Sequence, residues 1–253
     1  MARRTEIRVR WVVAVAVIAL AAWGVSQYGG NLVRQYEYDE EIYLDVNGSA
    51  IVNVNASVAS LVSLHGLALD TNPAATIDRD YLRKMYGSAV TRVTRVAPWR
   101  RAGRRFVQVR IEVDDITKLS QSPLFAWSTY QIERRPEELI YRQHMGGAPV
   151  NPITNPSWDG SELVSVRMHL PSRIRFHNAG ADNLKRGNIL VWEQTLTDRQ
   201  AGKPIDIEVR IERTSILYST LLLFAVSGGL ALLVMAGILY WLVTRARGRV
   251  KKA

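Results

Sequence analysis

The chain has 253 residues, with 33 Lys and Arg against 23 Asp and Glu, and no cysteine. The missing thiols exclude a disulfide framework and a thiolate metal site, so an exported domain must hold together by its core alone. A net charge of +10 suggests nucleic acid, but its distribution argues against that partner: residues 1–30 and 214–253 carry 9 basic residues to 1 acidic, leaving 24 to 22 over residues 31–213.

Residues 1–29 open with Arg3, Arg4, Arg8 and Arg10, followed by an uncharged run from Trp11 to Gln27. That run is about 25 Å of helix, short for a membrane span. It reads either as a retained signal-anchor or as a signal peptide cut ahead of Gln27, with Gly24 and Ser26 as the small residues. Both readings export the domain that follows, residues 30–213.

The domain begins with period-two alternation, the mark of half-buried strands. In YEYDEEIYLDV, Tyr36, Tyr38, Ile42, Leu44 and Val46 share a face opposite Glu37, Asp39, Glu41 and Asp45. SAIVNVNA places Ala50, Val52, Val54 and Ala56 together. A three-residue loop, Asn47-Gly48-Ser49, would pair Val46 with Ala50 and Leu44 with Val52 and keep the apolar partners together. SVASLVSLHGLA has helical spacing. Asp78 caps a second helix, Arg79 to Tyr86, ended by Gly87. A less regular strand near Val90 to Val96 precedes RRFVQVRIEVDD, whose Val107, Val109, Ile111 and Val113 point inward. A helical turn near Asp115 to Leu119 leads to a strand pair around Arg135-Pro136. After a long Gly/Pro loop, LVSVRMHL, NILVWEQTL and IDIEVRIE close the domain. The expected fold is α+β: a largely antiparallel domain of nine or ten strands, curled or split into two sheets, with two short helices on one face.

From Ile216 to Val243, 28 residues pass without a charge. This is long enough for a bilayer core and apolar on every side, so residues 214–244 read as a transmembrane helix. Tyr240 and Trp241 fall where an interfacial aromatic belt would lie. Residues 245–253 form a basic tail, Arg245, Arg247, Arg249, Lys251 and Lys252, that would stay cytoplasmic. The expected location is the plasma membrane with the main domain outside and, if the N-terminal segment is retained, both termini inside.

The segment SVRMHLPSRIRFHNAGADNLKRGNILVWEQTL, residues 165–196, resembles the LppM-like exported domain of bacterial envelope lipoproteins. Pro171, Asn178, Gly187, Asn188 and Trp192 carry the resemblance, and the order of elements fits over residues 36–243. The resemblance implies an envelope location and a fold, without a reaction. This chain departs from it in having no cysteine for lipid attachment; its own apolar segment would replace that anchor.

No HExxH, GxSxG, P-loop or GxGxxG occurs, and neither a cofactor nor a metal is expected. His65, His144, His169 and His177 are scattered; an enzyme site assembled around His169 or His177 is the alternative function. The pairs Asp114-Asp115 and Glu137-Glu138 read as solvated charges. The strongest interaction signal is TRVTRVAPWRRAGRRFVQVR: seven arginines between Arg92 and Arg110 with no acidic residue. Trp99, Arg100, Arg101, Arg104 and Arg105 would form a hairpin tip suited to membrane lipid, especially anionic lipid, or to an anionic envelope polymer. The competing reading is a solvated hairpin protected against aggregation. The expected function is a membrane-anchored, noncatalytic envelope protein whose exported domain contacts lipid, glycolipid or a membrane-protein partner.

Overall fold

The structure is a computed structural model that describes residues 34–148, 151, 153, 158–180, 183–185 and 188–250. The N-terminal apolar segment and the last three residues of the basic tail lie outside the described residues. In chain order the elements are β1 (Tyr36–Leu44), β2 (Ala50–Ser57), α1 (Val58–His65), α2 (Arg79–Tyr86), β3 (Arg92–Arg101) and β4 (Arg104–Val113). Two 3-10 turns (Ile116–Gln121 and Pro123–Phe125) lead to β5 (Ser128–Arg134) and β6 (Glu138–Met145). Then come β7 (Leu163–His169), β8 (Ile174–His177), β9 (Leu184–Lys185), β10 (Ile189–Thr195), α3 (Leu196–Gln200), β11 (Ile205–Glu212) and α4 (Ile216–Val250).

The fold is α+β, with two sheets enclosing one core. A seven-stranded sheet runs β3-β4-β2-β1-β7-β10-β9, and a four-stranded sheet runs β5-β6-β11-β8. Among the described residues all strand pairs are antiparallel except β1 with β7, which lies at the centre of the larger sheet. The alternating strands bury one face, as pleat geometry requires. Val107, Val109, Ile111 and Val113 of β4 meet Ile205, Ile207, Val209 and Ile211 of β11 in the same apolar cluster. Leu61 and Leu64 of α1 and Leu82 and Tyr86 of α2 complete it. The Asp78 carboxylate caps α2 by accepting from the N–H groups of Asp80 and Tyr81.

The β1–β2 register corrects the expectation. Leu44 pairs with Ala50 and Ile42 with Val52, so the loop has five residues, Asp45 to Ser49. The shift is by two positions and the apolar partners keep their shared face. The loop is longer because its own groups close it. Gly48 N–H donates to Asp45 O at 3.0 Å, and Ser49 N–H to Asn47 Oδ1 at 2.7 Å. Two tertiary donors then hold its carbonyls: Ile116 N–H reaches Gly48 O at 3.0 Å and Arg134 Nη2 reaches Asn47 O at 2.8 Å.

Among the described residues one helix is long and apolar enough to cross a membrane, Ile216–Trp241, 26 residues with none buried against the domain. It leaves the domain beside Pro171, whose carbonyl accepts from Ile216 N–H at 3.0 Å. That is the C-terminal end of β7. In the larger sheet the same end carries Tyr43 of β1, Ala50 of β2 and Val113 of β4. The β3–β4 turn lies at the opposite end of β4, 10 residues or about 33 Å away along the strand.

Candidate functional site

The arginine-rich segment is a hairpin at a sheet edge, longer than the pattern suggested. Ala102 and Gly103 form a two-residue turn with φ of 47° and 74°, and Arg101 pairs with Arg104. Both turn residues are left-handed, the arrangement whose twist matches the flanking strands. Trp99 stacks on its cross-strand neighbour Phe106 at 4.7 Å and stays 40% exposed while Phe106 is buried.

The five predicted residues separate into two groups. Arg104 turns inward: its guanidinium donates to Glu37 Oε1 at 2.7 Å and Gln35 Oε1 at 2.6 Å and lies 3.6 Å from Glu162. Both carboxylates are buried, and Trp158 Nε1 donates to Glu37 as well, at 3.1 Å. Arg105 is 6% exposed and donates to the carbonyls of Asp70 and Ala75. Burial lowers the pKa of its guanidinium. These two arginines hold the hairpin to the domain. Trp99 and Arg100 are exposed and Arg101 is half-exposed; neither of these two arginines has an ion-pair partner among the described residues. Arg101 also lines a shallow recess of about 220 Å³ with Tyr36, Glu37 and Phe106.

The histidines do not assemble. His169 Nε2 lies 2.7 Å from Glu41 Oε1, and its ring stacks on Tyr43 at 4.0 Å. Burial would raise the Glu41 carboxyl, but the hydrogen bonds of His169 and Asn53 outweigh it and hold it low. His177 Nδ1 meets the Ala179 carbonyl at 2.9 Å, and His144 lies 2.6 Å from Asp206 on the outside of the smaller sheet. Among the described residues no group of three or more His, Cys, Asp or Glu could hold a metal ion.

The sequence reading missed a polar cluster between the sheets. Glu40 of β1, on the core face with Tyr38 and Ile42, is fully buried, as is Arg199 of α3. Tyr38 OH donates to Glu40 Oε1 at 2.7 Å. Tyr38, His65 and Trp127 form a mutually packed aromatic group, with ring centroids 4.3 to 5.4 Å apart, and the Arg199 guanidinium lies 4.4 Å over Trp127. Burial pushes the Glu40 carboxyl up to about 7, against the opposing pull of the Tyr38 hydrogen bond and the Arg199 charge. Burial pushes the His65 imidazole down to about 3, and the Arg199 charge acts in the same direction. One signal was present: Glu40 and Glu41 are adjacent in a strand, so one of them must face inward.

No family model and no curated protein matches the chain. The fold is similar to that of a solved bacterial domain. That protein is Mycobacterium tuberculosis LppM, whose folded domain was solved by NMR; the likeness has 12% sequence identity and a TM-score of 0.39, over 73% of this chain and 94% of that one. It is also the resemblance carried by residues 165–196.

Proposed function

We propose that the protein is a membrane-anchored envelope protein whose exported domain acts without catalysis, by docking the tip of the β3–β4 hairpin on anionic lipid headgroups. The observation that carries this reading is the pairing of an exposed Trp99 with two cations, Arg100 and Arg101, that no acidic side chain among the described residues neutralises. Arginine offers a phosphate two parallel hydrogen bonds, and an indole is at home in the headgroup layer. Each cation near an anionic surface contributes about 1 kcal/mol, falling with salt.

The two ends of the domain support a specific posture. β1 begins at the hairpin end, where Arg104 holds Gln35, and α4 leaves at the other end. A retained N-terminal anchor therefore lays the long axis of the larger sheet along the bilayer and brings the tip to the headgroups. Removal of that anchor would leave the tip about 30 Å from the root of α4, closer to an envelope polymer than to its own membrane. A nitroxide at Ala102 of the full chain in nanodiscs tests the reading. In phosphatidylglycerol bilayers it should sit at headgroup depth at low salt. Equal water exposure in anionic and neutral bilayers would contradict it.

A further inference from the structure

The interior cluster rests on observations independent of the hairpin. Glu40 and Arg199 are each 0% exposed. Each lies in the other's field, yet they form no ion pair. Arg199 uses Nη1 on the carbonyls of Met145, at 3.3 Å, and Lys203, at 3.5 Å. Its Nε and Nη2 have no partner among the described residues. These two atoms form the side-on edge with which a guanidinium grips a carboxylate through parallel hydrogen bonds. In the same interior Tyr86 OH and Gln143 Nε2 are also buried and unpartnered among the described residues, while Trp127 supports the Glu40 carboxyl and Ser128 the Tyr130 phenol.

Folded interiors pair nearly all such atoms, because each one left alone costs about 1–3 kcal/mol. Four in one interior, two of them on a single guanidinium, mark a place built to receive a polar guest. Their chemistry selects the guest. Arg199 supplies two donors from one rigid edge and Gln143 a third, while the phenols can donate or accept. Tyr38, His65 and Trp127 wall the site with rings. The donor-rich edge calls for an oxyanion, and the opposing Glu40 can face an anion only as a neutral acid.

We propose that the interior between the two sheets is a binding site for a small carboxylate, held on the free edge of Arg199, with protonated Glu40 donating to it from the opposite side. Above about pH 7, where Glu40 is ionised in the free protein, binding then takes up one proton. The titratable and charged groups that act on Glu40 are Tyr38 and Asp39 on its own strand, Tyr86 on α2, Tyr130 on β5, Tyr141 on β6 and Arg199 on α3. His65 on α1 packs against Tyr38 and Trp127. Burial raises the phenols, so they stay neutral, and His65 is held neutral as well. Glu40 is therefore the group whose charge changes near neutral pH.

The test uses the full chain in neutral nanodiscs, titrated with sodium acetate at constant ionic strength against sodium chloride. Stabilisation of the melting transition reports affinity. Acetate should stabilise the wild type at pH 6 and bind about tenfold more weakly at pH 8, since one proton enters with it. Glu40→Gln mimics the neutral acid and should bind acetate equally at both values. Arg199→Met should not respond to acetate. Should that variant fail to fold, the Glu40→Gln comparison decides. Equal melting of the wild type in acetate and chloride at pH 6, as an interior filled only by water would give, overturns the proposal. So does a tenfold pH dependence that survives Glu40→Gln.

Discussion

The indole N–H of Trp192 donates to Asn178 Oδ1 at 2.9 Å, and through this bond the two sheets are joined. Trp192 belongs to β10 of the larger sheet, while Asn178 follows β8 of the smaller one. The same Asn178 oxygen accepts from Glu208 N–H at 2.9 Å, and its Nδ2 donates to Asp206 O at 2.9 Å. Asn178→Ala removes three hydrogen bonds and strands the N–H of a tryptophan only 6% exposed. It should cost about 2–4 kcal/mol. Denaturant unfolding checks the loss, and hydrogen exchange should show β11 loosened before β4.

The stability of the domain should depend on pH through two opposed interior groups. Glu40 is raised to about 7, so the folded state holds a proton that the unfolded chain releases, and stability falls as pH rises from about 4.5 to about 7. His65 is lowered to about 3, so the unfolded chain takes up a proton that the folded state refuses, and stability rises from about pH 3 to about 6.5. Each slope is about 1.4 kcal/mol per pH unit, and the two nearly cancel where they overlap. Glu40→Gln should therefore expose the rising limb and His65→Gln the falling one. Urea midpoints at pH 4, 5, 6 and 7 read both. Identical profiles for the two variants would remove the interior pair as the cause.

At the hairpin tip, Ala102 has φ of 47°, in the left-handed region. Ala102→Gly should stabilise the domain by about 1 kcal/mol, because a residue with a Cβ is strained there. Gly103→Ala should destabilise it by a similar amount, although no atom lies within 4 Å of the added carbon, since φ there is 74°. Thermal unfolding of both variants checks the pair.

Much of the fold was legible where one face is buried and one is wet. β4, β11 and the Asp78 cap of α2 follow from alternation and capping alone. The loop after β1 was not, because Arg134 and Ile116, far along the chain, help set its length. β8 and β9, at 4 and 2 residues, are too short to carry a period. The parallel pairing of β1 with β7 joins segments more than a hundred positions apart. In the predicted site, the segment showed seven arginines but not that Glu37 and Glu162 neutralise Arg104, or that backbone carbonyls occupy Arg105. Arg199 left no local trace, since Met145, 54 positions away, anchors it.

The proposed orientation, with the main domain outside and the basic tail inside, rests on the uncharged helix and the basic residues beyond it. A reporter active only outside the cytoplasm should be silent when fused after Ala253 and active when inserted at Gly160. Gly160 has φ of 91° and no atom within 4 Å of an added Cβ, so the turn faces open space, while its N–H donates to Glu162 Oε2 at 2.9 Å. The reversed pattern would invert the orientation of α4.

The division of the arginine cluster gives the most direct measurement of the central claim. The full chain is placed in nanodiscs of phosphatidylglycerol or of phosphatidylcholine, and hydrogen exchange is followed over residues 99–105. The wild type should be protected there in the anionic lipid only, and 0.5 M salt should remove the protection. Arg100→Gln with Arg101→Gln should abolish it while leaving the melting temperature unchanged. Arg104→Gln, which leaves Glu37 and Glu162 buried without their cation, should instead lower stability by about 3 kcal/mol. Equal exchange of the tip in the two lipids, or protection that persists in the Arg100/Arg101 variant, would contradict the account and leave the hairpin a solvated edge.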